Sequence, residues 1–215
     1  MAYWPAGTYA AAPPSAEADG RRGSRKATAR RRRGFCRCAA CCIAPTAAVL
    51  DLQRMMPPGI PHLSGMIALD VFAGGAITIR AAAHELIVET PASLLRRVTG
   101  ATPVPIRLVR DAEGLALTVD GAVQTPAGRA WMELDTGNGG PILVGEHVAK
   151  PLELATTDEH SQAATFALVG GIPVRGPARV SKLIMDGDIG EAVLGKWDIT
   201  LDLASAKAWF RPATR

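Results

Sequence analysis

"WMELDTGNGGPILV", residues 131–144, determines how the rest of the chain is interpreted. It places an Asp-Thr-Gly triplet between a strand-like run and a second apolar run, which predicts a loop between two β-strands. The triplet occurs once in the 215 residues.

The sequence around this stretch alternates apolar residues with Gly, Pro and Asp turns, which is typical of an all-β fold. The pair Gly170-Gly171 lies between two apolar segments and predicts a hairpin. Helical patterns are scarce and short. Strands are predicted at 104–110, 115–120, 129–134, 164–169 and 172–176, turns at 111–114 and 121–128, and short helices at 91–98, 145–154 and 191–197.

Charge divides the chain into a basic tail and a mildly acidic body. Residues 1–50 contain nine Lys or Arg and two acidic residues, a net charge of +7, whereas the remainder carries −3. Because residues 1–48 have almost no periodic apolar pattern, they are expected to be disordered. The eight basic residues from Arg21 to Arg33 leave phosphate binding, a secretory signal or a wrong start site open as alternatives. Outside this tail no nucleic-acid partner is expected, and no run approaches the ~20 apolar residues of a membrane span.

All four cysteines lie in the segment CRCAACC, at Cys36, Cys38, Cys41 and Cys42. Structural metal sites usually use two separated pairs, so that four sulfurs converge around the ion. The crowded spacing disfavours such a site, and no metal is expected. The body has no cysteine for a disulfide framework, so the redox compartment and the localisation stay open.

An internal repeat links two segments that lie 122 residues apart. The segment that starts at Gly65 aligns without a gap with the segment that starts at Gly187. Both predict the same order of turn, short helix, strand, small-residue turn and strand, which indicates a duplication. The identical pairs are Gly65/Gly187, Ile67/Ile189, Val71/Val193, Ile77/Ile199, Thr78/Thr200 and Ala82/Ala204.

The triplet and the repeat together resemble the retropepsin-like and pepsin-like aspartic peptidases. MELDTGN, residues 132–138, matches their active-site loop, and DGDIGEAVLGKWDITLDL, residues 186–203, is similar to their second motif, with Ile189-Gly190 as its core. The resemblance implies that residues 101–215 form one complete acid-protease-type β-barrel lobe. It also implies that residues 49–100 form the second half of a preceding lobe. Asp188 and Asn138 depart from the family pattern, which usually has an apolar residue and Ala or Ser there.

The resemblance implies an endopeptidase that hydrolyses peptide bonds through an Asp-activated water, with Asp135 as the catalytic aspartate and no cofactor. Thr136 is expected to hydrogen-bond across two active-site loops, and Gly137 to permit the tight turn. Asn138 and Gly190 are expected to support the loop. The substrate is expected to be an extended peptide or protein segment, held under a flap at about residues 155–164.

The chemistry needs two carboxyls that share a proton, one acting as base and the other as acid. Because Ala68 aligns with Gly190, a first Asp-Thr-Gly loop is expected near residue 10, where AGTYAAAPPS contains no Asp. Alone, Asp135 is expected to be an ordinary exposed carboxylate. Three interpretations stay open: a homodimer that pairs two Asp135 residues, a truncated and inactive peptidase, and a β-rich module that binds peptides without cleaving them.

The other polar and aromatic residues are interpreted as structural. Asp186 and Asp188 are interpreted as turn residues, because one short turn offers too few oxygen ligands for a cation. Four histidines lack metal-ligand spacing, and three tryptophans are expected in the core. These are His62, His84, His147 and His160, and Trp131, Trp197 and Trp209.

Overall fold

The computed structural model describes residues 68–110, 116–156 and 160–214, and strands dominate all three stretches. The strands are β1 (Ala76–Arg80), β2 (Glu85–Glu89), β3 (Thr102–Arg110), β4 (Leu117–Thr125), β5 (Gly128–Leu134), β6 (Ile142–Gly145), β7 (Gln162–Leu168), β8 (Ile172–Ser181), β9 (Gly187–Ile189), β10 (Trp197–Asp202) and β11 (Lys207–Pro212). The helices are α1 (Pro91–Val98), α2 (Glu146–Ala149) and α3 (Glu191–Leu194), with 3₁₀ turns at Leu69–Phe72, Ala81–Ala83 and Lys150–Leu152. The predicted all-β fold with short helices is confirmed. The predictions for residues 1–67, including the tail and its cysteines, lie outside the described residues.

Six strands close into a barrel. β4 pairs with β5, β5 pairs in parallel with β9, and β9 lies between β5 and β6. β6 pairs with β8, β8 pairs with β7, and β7 returns to β4 through Val123 and Leu168. The interior is apolar, and Met132, Val144 and Ile189 are fully buried there. The Asp-Thr-Gly loop leaves β5 next to the inserted strand β9, so this topology fixes which residues lie beside Asp135.

The same sheet continues away from the barrel in the order β3-β11-β10-β1-β2. β1 and β10 are antiparallel, with Thr78 directly opposite Thr200. These two residues are also equivalent in the 122-residue repeat, and their hydroxyl oxygens lie 3.0 Å apart. A pseudo-two-fold axis therefore passes between them and relates β1 to β10 and β2 to β11.

Shorter elements outside the strands follow the same pseudo-two-fold symmetry. The 3₁₀ turn at Leu69–Phe72 and the helix α3 occupy equivalent positions in the two repeats. His84 and Ala206, also 122 residues apart, both have left-handed backbones, with φ of 55° and 52°. The repeat that the sequence predicts is therefore present in the described structure.

Helix α1 has the predicted bounds because its first turn is capped. The Thr90 hydroxyl accepts a hydrogen bond from the Ser93 N–H at 3.1 Å, and the Ser93 hydroxyl accepts one from the Thr90 N–H at 2.8 Å. Arg97 anchors the helix to the sheet through an ion pair with the buried Glu89, Nε to Oε1, at 2.9 Å. Glu89 also accepts a hydrogen bond from Thr78 at 2.7 Å. No helix among the described residues is long and apolar enough to cross a membrane.

Several predicted boundaries are wrong. The helix predicted at 191–197 ends at Leu194, and Trp197 begins β10. The turn predicted at 121–128 is mostly strand, because β4 continues to Thr125 and the turn occupies residues 126–127. A Cβ at Gly121 would lie 3.1 Å from the Leu134 side chain, so this glycine is needed for packing and does not form a turn. In the predicted flap, residues 162–164 belong to β7 and pair with β8, and residues 157–159 lie outside the described part. The described residues of this region form no separate flap hairpin.

Candidate active site

Asp135 follows the last residue of β5 and begins the loop to β6. Its Oδ1 atom accepts a hydrogen bond from the Gly137 N–H at 2.7 Å. The Asn138 N–H donates to the Asp135 carbonyl at 3.2 Å, which closes the turn. The loop therefore holds one carboxyl oxygen of Asp135. The other, Oδ2, is buried and has no hydrogen-bond partner among the described residues.

The segment between β9 and α3 fastens this loop from one side. The Asp135 N–H donates to the Ile189 carbonyl at 3.1 Å, and the Glu191 N–H donates to the Asn138 carbonyl at 2.8 Å. Between these bonds Gly190 lies so close to Asn138 that a Cβ would overlap the Asn138 carbonyl oxygen. Only glycine permits this contact. The structure therefore brings together four of the predicted residues: Asp135, Gly137, Asn138 and Gly190.

The side chains of Asn138 and Thr136 differ in how well they are fixed. The Asn138 Oδ1 atom accepts a hydrogen bond from the Gly140 N–H at 2.8 Å, and its Nδ2 atom donates to the Pro141 carbonyl at 3.3 Å. Thr136 is half-buried, and its hydroxyl makes no hydrogen bond within the described part of the chain. The cross-loop bond expected for Thr136 stays a prediction.

Asp135 is only 1% exposed, so the expectation of an ordinary exposed carboxylate is wrong. Burial raises the pKa of Asp135, because the ionised form loses its hydration. The N–H groups of Gly137 and Asn138 oppose this effect, since they stabilise the ionised form. The loop thus shields the carboxyl from water and supplies few hydrogen bonds that would compensate for the lost hydration.

Asp188 is a second buried carboxyl near Asp135. It lies within β9 and is 4% exposed, so its interpretation as a turn residue is wrong. Its Oδ1 atom is buried with no hydrogen-bond partner in the described residues. Burial raises the pKa of Asp188 to about 7; the Asn138 amide lowers it, and the charge of Asp135 raises it further. This carboxyl therefore keeps its proton at pH values where an ordinary Asp is ionised.

Asp188 belongs to a line of charged residues that crosses four strands. The register places Arg107 opposite Asp120, Asp120 opposite Glu133, and Glu133 opposite Asp188. Directly opposed residues share a face of the sheet and lie about 5 Å apart. Asp135 comes two positions after Glu133 and so falls on the same face. We call Asp120, Glu133, Asp135 and Asp188 the acidic row.

Charges within the acidic row raise the pKa values of Glu133 and Asp188. Burial raises the pKa of Glu133 to about 7, and the charges of the other three members add to this effect. Burial raises the pKa of Asp120 to about 6, with Arg107 opposing and Asp186 reinforcing the rise. Because these carboxyls lie close together and are largely shielded from water, ionisation of all four would cost a large electrostatic free energy.

Arg107 is the one cation that the register places in line with the acidic row in the described structure. Its guanidinium carbon lies 3.9 Å from the centre of the Trp131 ring, a cation–π contact. Trp131 is half-buried and supports Arg107, so its expected place in the core is only partly right. Beyond this pair, Asp186 accepts a hydrogen bond from the Trp131 N–H at 2.7 Å and lies 2.9 Å from the His147 Nε2 atom. Both carboxyl oxygens of Asp186 therefore already have hydrogen-bond partners.

A small cavity lies beside the Asp135 loop. Its polar lining includes Glu133 and Thr136, its apolar lining includes Ile79 and Ile199, and its volume is about 30 Å³. A cavity of this volume has room for one or two water molecules. In the part of the chain that the structure describes, no group of three or more His, Cys, Asp or Glu residues is arranged to hold a metal ion.

Sequence reasoning missed Glu133 and Asp120 and misplaced Asp188. One signal was available, because Asp188 departs from the apolar residue that the resemblance implies. Glu133 carries a weaker signal, as a charged residue inside an apolar strand pattern. Their proximity depends on the parallel pairing of β5 with β9, which joins residues 55 positions apart in the chain.

No protein-family model and no curated protein sequence matches this chain. Among solved structures, the chain is similar to basic 7S globulin from soybean, with a TM-score of 0.41 and 9% sequence identity. The match covers 65% of this chain and half of that protein. At this level the likeness carries no argument about activity.

Proposed function

We propose that residues 101–214 form one half of the active site of an aspartic-type endopeptidase, with Asp135 as one of its two aspartates. The carboxyl of Asp135 carries this proposal. It is 1% exposed, one oxygen is held by the Gly137 N–H, and the other has no partner in the described residues. A two-carboxyl acid–base site needs carboxyls prepared in this way. The Asp-Thr-Gly sequence and the contact of Gly190 with Asn138 support the same assignment.

The proposed chemistry divides the work between two carboxyls that share a proton. The ionised one removes a proton from a bound water as that water attacks the peptide carbonyl. The protonated one donates its proton to the carbonyl oxygen. The raised pKa of Asp135 favours a shared proton over two ionised groups. One carboxyl cannot act as base and acid in the same step, so Asp135 needs a partner. No cofactor is part of this proposal.

The pseudo-two-fold axis suggests where the second aspartate would come from. Leu86 and Val88 of β2 correspond to Ala208 and Phe210 of β11. The β11 pair is 2% and 1% exposed, whereas the β2 pair is 48% and 53% exposed. This difference supports a second β-rich lobe packed against the β1–β2 face, with its own aspartate opposite Asp135.

A symmetric homodimer joined through β10 is less favoured, because that edge is already occupied. β1 of the same chain pairs with β10 from Asp198 to Asp202. The proposal is therefore a second lobe related to residues 101–214 by the pseudo-two-fold axis. Without such a lobe, residues 101–214 are expected to be inactive.

A tandem protein tests the proposal. Because Gly187 is equivalent to Gly65, a copy of residues 101–186 is inserted directly before Gly65, which completes the first lobe. The tandem protein is expected to cleave a mixture of fluorogenic peptides at acidic pH, and the original chain is not. Asp135→Asn in either copy should abolish cleavage, because the amide cannot act as a base. Glu153→Gln, which alters an exposed carboxyl, should leave cleavage unchanged.

Three outcomes would contradict the proposal. The first is a tandem protein that unfolds cooperatively and shows native circular dichroism, yet cleaves nothing. The second is cleavage that persists when Asp135→Asn is present in both copies. The third is cleavage by the original chain that is linear in protein concentration while the chain sediments as a monomer. Tight binding of uncleaved peptide by a folded tandem protein would favour a peptide-binding module.

A further inference from the structure

We propose that β2 is a dimerisation edge, along which two copies of this chain pair strand to strand in antiparallel orientation about Ile87. β2 lies at one end of the sheet, and β1 is the only described strand that pairs with it. The inference does not depend on the proposed function, because the edge can pair whether or not Asp135 takes part in catalysis.

The pseudo-two-fold axis shows what kind of partner this edge accepts. β11, the equivalent of β2, pairs with β10 on one side and with the antiparallel strand β3 on the other. The residues that contact β3 are 207–210, and their equivalents in the 122-residue repeat are residues 85–88 of β2. The position of β3 is therefore filled beside β11, and no described strand fills it beside β2.

An apolar face of the sheet continues to this open edge. Leu86 lies opposite Ile79, and Val88 lies opposite Ile77, so these four side chains share one face. Ile77 is 0% exposed, whereas Leu86 and Val88 are 48% and 53% exposed. The face is thus covered as far as β1 and uncovered at β2 within the described part of the chain.

Helix α1 lies on the other face of β2. Its Arg97 pairs with Glu89, and the side chain of Glu89 points away from that of Val88, because successive residues of a strand alternate between the two faces. The Thr99 carbonyl, just after the helix, accepts a hydrogen bond from Arg211 on β11. The helix therefore runs from the end of β2 across the sheet towards β11, away from the open edge.

The sequence of β2 makes a second copy of the same strand a suitable partner. Glu-Leu-Ile-Val-Glu has the same order of charged and apolar residues in both directions. Antiparallel pairing about Ile87 places Leu86 opposite the partner's Val88, and Val88 opposite the partner's Leu86. Both exposed apolar side chains then gain an apolar neighbour at about 5 Å on the same face. A shift by one residue would put these side chains on opposite faces of the joined sheet.

The charges of β2 do not oppose this pairing. The same register places Glu85 opposite the partner's Glu89, which would repel if both carboxylates were free. Each is already paired within its own chain, Glu85 with Arg80 and Glu89 with Arg97. β2 also contains no Lys, Pro or bulge, which are the features that commonly protect an edge strand from pairing.

Sedimentation of the full chain tests the inference. Because each copy contributes one five-residue strand, the interface is small, and a dimer that dissociates in the micromolar range or above is expected. Leu86→Glu and Val88→Lys should each raise the dissociation constant roughly tenfold or more, since the symmetric dimer contains every substitution twice. Ile184→Glu and Ile184→Lys, at an 88% exposed position outside β2, are the matched controls and should leave it unchanged.

Mixtures of variants test the register. In a mixture of Leu86→Glu with Val88→Lys, the new carboxylate lies opposite the new ammonium group, and the two wild-type apolar side chains lie opposite each other. This mixture should form a one-to-one dimer more tightly than either variant alone. A mixture of Leu86→Glu with Leu86→Lys carries the same charges but places neither opposite the other, so it should stay largely monomeric. A preference for the second mixture would overturn the antiparallel register.

Hydrogen exchange locates the contact without any substitution. Exchange of the β2 amides should slow as the concentration rises from about 1 μM to about 1 mM, while exchange in β6 inside the barrel should not change. A wild-type chain that stays monomeric over this range would overturn the inference, and slow exchange of β2 in that monomer would identify a segment of the same chain as the occupant of the edge. Dimerisation that is equally weakened by the Ile184 controls would also overturn it. A β2 dimer that cleaves no peptide would support this inference.

Discussion

Replacement of Asp188 by Asn should change the pH dependence of stability. In the folded protein burial raises the pKa of Asp188 from 3.8 to about 7. The folded state therefore binds this proton more tightly than the unfolded chain does. Its contribution to stability is fully present below the unfolded pKa and is lost as the pH rises through the folded pKa. Asn has nearly the same shape and carries no charge at any of these pH values.

The size of the effect follows from the shift. A rise of the pKa from 3.8 to about 7 corresponds to about 4 kcal/mol of unfolding free energy lost between about pH 4 and pH 8. Asp188 is 4% exposed, so solvent screening reduces this value little. Coupling to Glu133 divides part of it between the two carboxyls. We therefore expect Asp188→Asn to gain about 2 to 4 kcal/mol relative to the wild type over that range.

Urea unfolding of both proteins at a series of pH values from about 4 to 8 measures this directly. The wild-type unfolding free energy should fall more steeply with pH than that of Asp188→Asn. Glu153→Gln, which removes an exposed carboxyl outside the acidic row, should follow the wild-type curve. If the curves of wild type and Asp188→Asn are parallel, Asp188 titrates as an ordinary carboxyl, and the argument for a dry acidic row fails.

Two further predictions concern the loop contact and the exposed face. Gly190→Ala should lower the unfolding free energy by about 2 kcal/mol or more, because the added Cβ would overlap the Asn138 carbonyl. In Gly139→Ala the added Cβ would meet no other atom, so this variant should have nearly the unfolding free energy of the wild type. Similar midpoints for these two variants in urea would contradict the contact. The exposed apolar side chains of Leu86 and Val88 on the β1–β2 face predict that the chain self-associates. The double substitution Leu86→Ser with Val88→Thr should reduce this self-association in light scattering. Ile184→Ser, at an 88% exposed position elsewhere, is the control, and an equal reduction by it would remove any special role for that face.

The features that the sequence predicts correctly depend on short-range chemistry. The capped start of α1 and the hairpin at Gly170-Gly171 are set by residues a few positions apart, and so is the loop that begins at Asp135. The repeat also gives the equivalence of Thr78 with Thr200, because a duplication preserves spacing along the chain. None of these inferences needs to know which distant strands are neighbours.

The features that were missed depend on long-range pairing. The sequence pattern predicts a turn at Gly121, whereas the missing side chain of this glycine makes room for Leu134 and Leu168 inside the barrel. Glu133 and Asp188 each interrupt an apolar pattern, and each alone suggests only an imperfect strand. The parallel register of β5 with β9 places the two carboxyls side by side, and no local propensity predicts that register.

The pseudo-two-fold axis also limits the acidic row to one side of the proposed cleft. Asp188 is equivalent to Met66 in the first repeat, just as Gly190 is equivalent to Ala68. A second lobe built on the first repeat would therefore present a methionine where residues 101–214 present a carboxyl. The duplication that would pair two aspartates symmetrically thus leaves a charge asymmetry between the two lobes, because the buried carboxyl of Asp188 has no equivalent in the first repeat.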